Sequence, residues 1–328
     1  MLNQGLGGGG YGTATAQKIK AVYYPGCTLH EKAKELDLST RAIATTLGIE
    51  LVELPGWTCC GAAYPLSSDN VIGMVASARM LANTRRYADK ITTMCSFCYN
   101  VLKRVNNAIA TNPEKRKKLN SYLDLGTSRA DSGRGSEYSP EPREYTGEVK
   151  VLHFMELLKE YGFERVKSYV RNPLEIKIAA YYGCQVLRPE KELHFDSADN
   201  PQIFEELMKA IGATPVDFPF KTECCGSYRI MNSPETAYKC VYGILKNAQD
   251  NGADAVAVTC PLCYFNMETE QGKTTEQYAD LKPIPVFYFT ELLCLALDIP
   301  CDLSRHQVSA SGIIDNLKAH KKTAEVRT

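Results

Sequence analysis

Tyr181-Tyr182-Gly183-Cys184, Thr222-Glu223-Cys224-Cys225-Gly226 and Cys260-Pro261-Leu262-Cys263 place five cysteines in three short clusters, each just beyond an apolar run. The same text stands earlier, as Tyr23-Tyr24-Pro25-Gly26-Cys27, Thr58-Cys59-Cys60-Gly61 and Cys95-Ser96-Phe97-Cys98. Cys59, Cys60, Cys95 and Cys98 each lie 165 positions before Cys224, Cys225, Cys260 and Cys263, whereas Cys27 and Cys184 are 157 apart. Ala88-Asp89 ahead of Cys95 is echoed by Ala253-Asp254 ahead of Cys260. Such matching in a chain with 13 cysteines marks an internal duplication, and a repeat decides architecture before any single element does.

Working outward, residues 20–24 form an apolar run that stops at Pro25-Gly26, which reads as a buried strand followed by a loop carrying Cys27. Residues 35–47 read as a helix ended by Gly48, and 49–54 as a strand broken by Pro55-Gly56 ahead of Cys59-Cys60-Gly61. A helix over 71–87 and a strand over 90–94 follow, and Cys95-x-x-Cys98 opens a helix reaching about residue 110. The second copy repeats this with a strand from 176, a helix over 202–211, a strand over 214–218, a helix over 235–249 and a strand over 255–258. The alternation predicts an α/β fold of two tandem homologous modules, each a small parallel sheet with crossover helices in a Rossmann-like arrangement. All the cysteine clusters then follow strands, at the edge where open α/β sheets bind ligands.

The module boundaries follow. Residues 1–18 read as a flexible glycine-rich tail, 19–172 as the first module, 173–303 as the second and 304–328 as a charged, frayed tail. Gly5 to Gly10 formally satisfies G-x-G-x-x-G, but no strand precedes it, so it is not read as a nucleotide site. Residues 151–158 are echoed by 286–293 at an offset of 135, so the first copy carries about 30 extra residues. They fit an insertion near 112–147, which holds the basic run Lys115, Arg116, Lys117, Lys118 and then Ser-, Gly- and Pro-rich text. The insertion reads as a surface loop with a solvated charged face.

Lys plus Arg and Asp plus Glu both number 38, so no global field favours nucleic acid or an anionic membrane. No apolar run approaches bilayer length, and the first residues lack a signal-peptide pattern. The expectation is a cytoplasmic chain, where thiols stay reduced and patterned cysteines serve metals or catalysis. Cys240, Cys294 and Cys301 lie outside the repeat and read as small buried hydrophobes. For the repeated set several chemistries stand side by side. Disulfides do not explain the glycine after each double cysteine. Structural zinc wants four ligands, and His30 and His194 do not repeat in spacing. A thioredoxin-like dithiol suits each Cys-x-x-Cys but leaves three cysteines per module unused. Iron–sulfur ligation uses all five, because several irons can share thiolates from separate loops and adjacent cysteines can serve two irons.

The motif Cys-x31-Cys-Cys-Gly-x33-Cys-x-x-Cys, with its twin Cys-x39-Cys-Cys-Gly-x33-Cys-x-x-Cys, resembles the paired cysteine-rich CCG domains of the heterodisulfide reductase B-type family. Tyr182-Gly183-Cys184 and Cys260-Pro261-Leu262-Cys263 followed by Asn266 are especially close. The resemblance implies one non-cubane [4Fe–4S] cluster per module. Cys27, Cys59, Cys60, Cys95 and Cys98 would ligate one, and Cys184, Cys224, Cys225, Cys260 and Cys263 the other. It also implies a disulfide substrate, of the coenzyme M–coenzyme B type, split between the clusters into two thiols. The chain has no C-x2-C-x2-C-x3-C-P run and no flavin or nicotinamide motif, so electrons would come from a ferredoxin-like C subunit fed by a flavoprotein A subunit. Related twin motifs occur in E-type subunits of succinate dehydrogenases, in fumarate reductases and in sulfur-oxidation complexes. The alternative is therefore an electron-transfer and anchoring subunit that performs no bond chemistry.

Overall fold

The computed structural model describes residues 19–62, 70–123, 144–306 and 312–313. The expected N-terminal tail (1–18), residues 124–143 of the expected insertion, and 307–311 and 314–328 of the expected C-terminal tail lie outside the described residues.

Short apolar runs form two sets of strands. The first set is β1 (Lys20–Tyr23), β2 (Glu50–Glu53), β3 (Lys90–Thr93) and β4 (Lys150–His153). The second is β5 (Lys177–Tyr181), β6 (Thr214–Val216), β7 (Ala255–Val258) and β8 (Val286–Tyr288). Every pairing is parallel, and the orders β2-β1-β3-β4 and β6-β5-β7-β8 are the same winding. A parallel sheet covered by helices has both faces dry, which is why β7 reads as an unbroken, fully buried Ala-Val-Ala-Val. In both sheets the direction of winding reverses beside the first strand. That switch point leaves a crevice at the carboxyl ends of β1 and β3, and of β5 and β7.

The echoed segments 151–158 and 286–293 each turn from a strand directly into a helix, Phe154–Tyr161 and Phe289–Ala296. A repeated glutamate explains the turn. Glu156 accepts the His153 N–H and Glu291 the Tyr288 N–H, each at 2.8 Å, satisfying a donor that the helix start leaves open.

The modules join through equivalent elements in exchanged roles. Helix Phe289–Ala296 of the second packs on helix Lys34–Thr46 of the first, where Ser39 Oγ donates to Thr290 Oγ1 at 2.8 Å. Reciprocally, helix Phe154–Tyr161 packs on helix Ile203–Ala210. This is the contact pattern of a two-fold dimer, built within one chain. Buried rings fill its centre, with Phe204 and Phe289 at 5.8 Å and Tyr99 and Phe195 at 6.0 Å between centroids. Asn100 Nδ2 donates across the seam to the carbonyls of Gln185 and Arg188, both at 2.8 Å.

Three local expectations change. Cys27 lies not in a loop but in a short helix, Gly26–Glu31. The basic run near 115–118 sits on a helix, Pro113–Asn120, rather than in an irregular loop. Asn112 caps it by accepting the Lys115 N–H at 3.0 Å, with Pro113 in the first turn; only Leu119 is buried, so hydrophobic periodicity carries no signal. The start of the C-terminal tail is docked rather than frayed. Arg305 pairs with Glu35 of the first module at 2.7 Å. The His306 side chain is buried, with its ring nitrogens 3.7 Å from Glu268 and 3.5 Å from Glu291.

Burial alone would lower the His306 pKa, but the two carboxylates outweigh it and raise it from 6.5 to about 9. A raised folded-state value means the stabilisation is fully present below pH 6.5 and is lost as pH climbs through 9. His306→Gln therefore lowers the denaturation midpoint most below pH 6.5, by on the order of 2 kcal/mol, and the gap to the unaltered protein narrows towards pH 10. Denaturant titrations across that range check it; a gap independent of pH contradicts the assignment.

Candidate functional site

Each set of five cysteines assembles at the switch point of its own sheet. In the first module Cys27 follows β1, Cys59 and Cys60 follow β2, Cys95 caps helix Ser96–Thr111 after β3, and Cys98 lies in that helix's first turn. The sulfurs of Cys27 and Cys59 are 3.7 Å apart, and those of Cys60 and Cys98 3.6 Å. In the second module the sulfurs of Cys225 and Cys263 stand 3.4 Å apart. Cys27, Cys59 and Cys224 face solvent, while Cys60, Cys95, Cys98, Cys225, Cys260 and Cys263 are buried. The pairs therefore run from the surface inward. All ten sequence-predicted residues are brought into two groups, five to each module.

The backbone is shaped around the sulfurs. Gly26 and Gly183 hold left-handed φ angles of 72° and 68° immediately before Cys27 and Cys184. A Cβ on Gly26 would stand 2.9 Å from Cys98 Sγ, and one on Gly183 3.4 Å from Cys263 Sγ, so a side chain there would intrude on the thiols. The glycines after the double cysteines turn their N–H groups onto sulfur: Gly61 N to Cys59 Sγ at 3.5 Å and Gly226 N to Cys224 Sγ at 3.4 Å. The neighbouring thiol and these backbone donors matter for charge. Hydrogen bonding from Cys98 brings Cys60 down to about 7 despite burial. Cys184 does the same for Cys224, which falls to about 6. The same hydrogen bonds push the partner thiols Cys98 and Cys184 up, so each set is biased to hold its charge on one member, as the thiolate that binds soft metals.

Residues outside the cysteine motifs complete the scaffold. Tyr24 Oη donates to the Thr58 carbonyl at 2.8 Å and Tyr181 Oη to the Glu223 carbonyl at 2.7 Å. Thr58 and Glu223 immediately precede the double cysteines, so each phenol is a strut holding that loop over the sheet. The sequence carried the signal: a tyrosine stands three positions before the first cysteine in both copies. Asn266 Nδ2 donates to the Cys225 carbonyl at 2.9 Å, while its Oδ1 is buried without a partner. His153, far from any cysteine in sequence, donates from Nε2 to the Met94 carbonyl at 3.1 Å, next to Cys95. Burial lowers its pKa to about 4, so it is a neutral prop at neutral pH. His30 forms a pair with Glu31 on the surface, at 2.9 Å.

The two sets open on one seam. Ser96, next to Cys95, meets Thr259, next to Cys260, with hydroxyl oxygens 3.4 Å apart and both residues buried. Phe97 packs edge-on against Tyr228 at 5.3 Å between centroids. Tyr228 borders both sets. Burial, then Cys184, Cys260, Cys224 and, from the other module, Cys60 push its phenol up to about 12. No spacing rule pointed to Tyr228, because its role depends on how the modules dock. Among the described residues, no group of three or more His, Cys, Asp and Glu side chains is arranged to hold a single metal ion.

Fold and site together define a duplicated α/β protein that gathers five thiols at the switch point of each sheet. The profile of the CCG cysteine-rich domain matches residues 21–103 and 178–268. The chain belongs to the CCG cysteine-rich family, in the twin-domain form of heterodisulfide reductase B-like proteins. It is 34% identical, over 85% of its length and 92% of the relative, to the 8-methylmenaquinol:fumarate reductase membrane anchor subunit of Wolinella succinogenes. It is 29% identical, over 94% of its length and 99% of the relative, to the B component of the ferredoxin/F420H2-dependent CoB-CoM heterodisulfide reductase of Methanosarcina acetivorans. Among solved structures, a hypothetical protein from Helicobacter pylori shares the fold with a TM-score of 0.64 at 13% identity, over 88% of this chain. The chain spans about half of that protein, 51% of its length. No described helix is long and apolar enough to cross a membrane.

The glycine after the second double cysteine provides a test of the scaffold. Gly226 has φ 75°, and a Cβ there would meet the Ala237 Cα at 2.9 Å. Gly252 has φ 81° but open space around it. Gly252→Ala should therefore cost only backbone strain, about 1 kcal/mol, and Gly226→Ala about 2–3 kcal/mol because the clash adds to it. Denaturant unfolding of the two variants measures both; equal losses contradict the close approach.

Proposed function

We propose that this chain is the iron–sulfur subunit of a complex that reduces a disulfide to two thiols in the gap between its cysteine sets. The observation that carries the reading is the shared seam, where Ser96 beside Cys95 meets Thr259 beside Cys260 and Phe97 packs on Tyr228, a residue whose phenol is influenced by cysteines of both sets. In this reading Cys27, Cys59, Cys60, Cys95 and Cys98 hold one [4Fe–4S] cluster of non-cubane shape, and Cys184, Cys224, Cys225, Cys260 and Cys263 hold the other. The donor set fits such a group: all sulfur, with one thiol of each set lowered in pKa, paired rather than closed on one ion, and cradled by glycines where a side chain would crowd the sulfurs. The clusters, when bound, supply single electrons.

Cleaving R–S–S–R′ takes two electrons and two protons and releases RSH and R′SH. Two equivalent one-electron sites on opposite sides of a bond with two equivalent halves match that stoichiometry. The chain's own side chains position the reaction. Tyr24 and Tyr181 hold the double-cysteine loops, and the Phe97 and Tyr228 rings wall the gap. The reading draws electrons from a ferredoxin-like partner fed by a flavoprotein, and places the work in the cytoplasm, where free thiols persist. A second reading is favoured by the Wolinella succinogenes relative: an electron-transfer and anchoring subunit of a fumarate reductase-type complex.

Protein purified without oxygen should carry about eight irons per chain, four to each cluster. About four irons, or zinc in both sites, contradicts the two-cluster reading. In dye-linked assays the assembled complex should reduce a mixed thiol disulfide. Cys224→Ala should lower that rate at least about a hundredfold, the scale of loss for a misplaced reacting group, while the first cluster's spectrum persists. A complex that passes electrons to fumarate and reduces no disulfide favours the second reading.

A further inference from the structure

The two sets of thiols are alike in spacing but not in what holds them. In the second module the loop before Cys184 and the loop before Cys224 are tied to each other. The Lys221 carbonyl accepts the Tyr182 N–H at 2.9 Å and the Gly183 N–H at 3.2 Å. The Lys221 ammonium meets Glu205 Oε1 at 2.8 Å, the Pro201 carbonyl at 3.1 Å and Asn200 Oδ1 at 3.5 Å. Tyr182 Oη donates to the other Glu205 oxygen and accepts the Phe204 N–H at 2.8 Å. Lys221, Glu205 and Tyr182 are only 6%, 6% and 1% exposed, so this ion pair is shut off from water with both of its charges partnered. From the other side, Arg188 Nη1 donates to the Thr222 carbonyl at 2.8 Å and the Arg188 N–H to the Cys184 carbonyl at 3.0 Å.

The first module cannot build this network. Gly56 stands 165 positions before Lys221 and has no side chain. Pro25, two positions before Cys27 as Tyr182 is before Cys184, has no N–H to donate. The segment leading to Cys59 is tied at the surface instead. Trp57 Nε1 donates to Glu53 Oε1 at 3.1 Å, and Arg41 pairs with Glu53 at 2.6 Å, with 35% and 43% of the Arg41 and Glu53 side chains exposed. An exposed pair holds little, whereas a buried pair that loses one member leaves an uncompensated charge and costs far more. The thiols differ in the same sense. Cys27 and Cys59 both face solvent, whereas among the five of the second set Cys224 alone does.

We propose that Lys221, with Glu205 and Tyr182, is a positioning network that holds the second set of thiols in its ligating arrangement, so that the two metal centres differ in lability: the first is emptied readily and the second is retained. The inference rests on the reading that each set holds a metal group, and is independent of which disulfide is cut. A metal leaves a thiolate site when a ligand swings away and a competing ligand takes its place. Cys184 and Cys224 come from different loops, and the network fixes those loops to each other by two backbone hydrogen bonds and one buried ion pair. Glu205 belongs to helix Ile203–Ala210, which packs on helix Phe154–Tyr161 of the first module, so the network is anchored in the docked core rather than in the loops themselves. Cys27 and Cys59 have only the surface tie and can swing out singly. The second set is thus the resident centre and the first the exchangeable one.

The test uses the full chain purified anaerobically with its metal and challenged with excess EDTA. At intervals the freed thiols are alkylated and each cysteine peptide is read by mass spectrometry. The five cysteines of the first set should become alkylated at least about tenfold faster than those of the second, a difference well within what a buried ion pair controls. Lys221→Met combined with Glu205→Leu removes both charges together and leaves none buried alone. That double variant should keep an unfolding midpoint close to that of the unaltered protein, yet lose metal from the second set at least about tenfold faster while the first set is unchanged. Equal rates for the two sets in the unaltered protein, or faster loss from the second, would overturn the proposal. So would a double variant whose second set stays slow, or one that loosens both sets and unfolds early. The metal released is identified separately: zinc would contradict the iron–sulfur reading, and the order in which the sets empty would still decide this one. A chain that carries no metal contradicts both.

Discussion

Five thiols in each module must reach one place from three separate loops, and the turns that deliver them leave no room for side chains. Gly26 and Gly183 stand in left-handed conformations with a partner sulfur where a Cβ would project. The carboxyl ends of parallel strands already point all three loops to one edge, and the reversal of winding beside β1 and β5 opens the crevice they fill. Everything else at the site supports this convergence. The Tyr24 and Tyr181 struts hold the double-cysteine loops down, and the Gly61 and Gly226 amides turn onto sulfur.

Duplication then turns one such crevice into two that share a border. The modules dock through the same helices in exchanged roles, as identical subunits do about a two-fold axis. The Ser96–Thr259 contact brings the two Cys-x-x-Cys loops together directly, and the Phe97–Tyr228 pair brings a ring from each module to the same place. The symmetry is imperfect in an informative way. After β3 the Cys-x-x-Cys helix runs unbroken through Ser96–Thr111. After β7 it is a single turn, Pro261–Tyr264, followed by a π-helical turn over Phe265–Thr269 that buries Asn266 beside Cys225.

Much of this was legible in the sequence because it is written in local chemistry. Strand runs, the glycines that end them and the 165-residue repeat point to the two parallel sheets and their order of elements. The ten cysteines stand out by spacing alone, and all ten fall at the switch points. What stays hidden depends on tertiary docking or on signals too weak for periodicity. Tyr228 and His153 act across distances in sequence that no motif spans. Helix Pro113–Asn120 has one buried residue and so no hydrophobic stripe. His306 reads as the start of a frayed tail, because the two glutamates that hold it come from elements 38 and 15 positions earlier. The Tyr24 and Tyr181 struts are in plain view in the repeat, but a tyrosine in an apolar run reads first as core.

The central claim is that two metal centres, one to each set of five thiols, border a single gap. An anomalous-difference map collected at the iron absorption edge, from crystals of anaerobically prepared protein, tests it most directly. The account predicts two separate iron features, each enclosed by the five sulfurs of its own module, with the Phe97 and Tyr228 rings between them. A single feature, a feature ligated by cysteines of both modules, or iron bound away from these ten residues would contradict it.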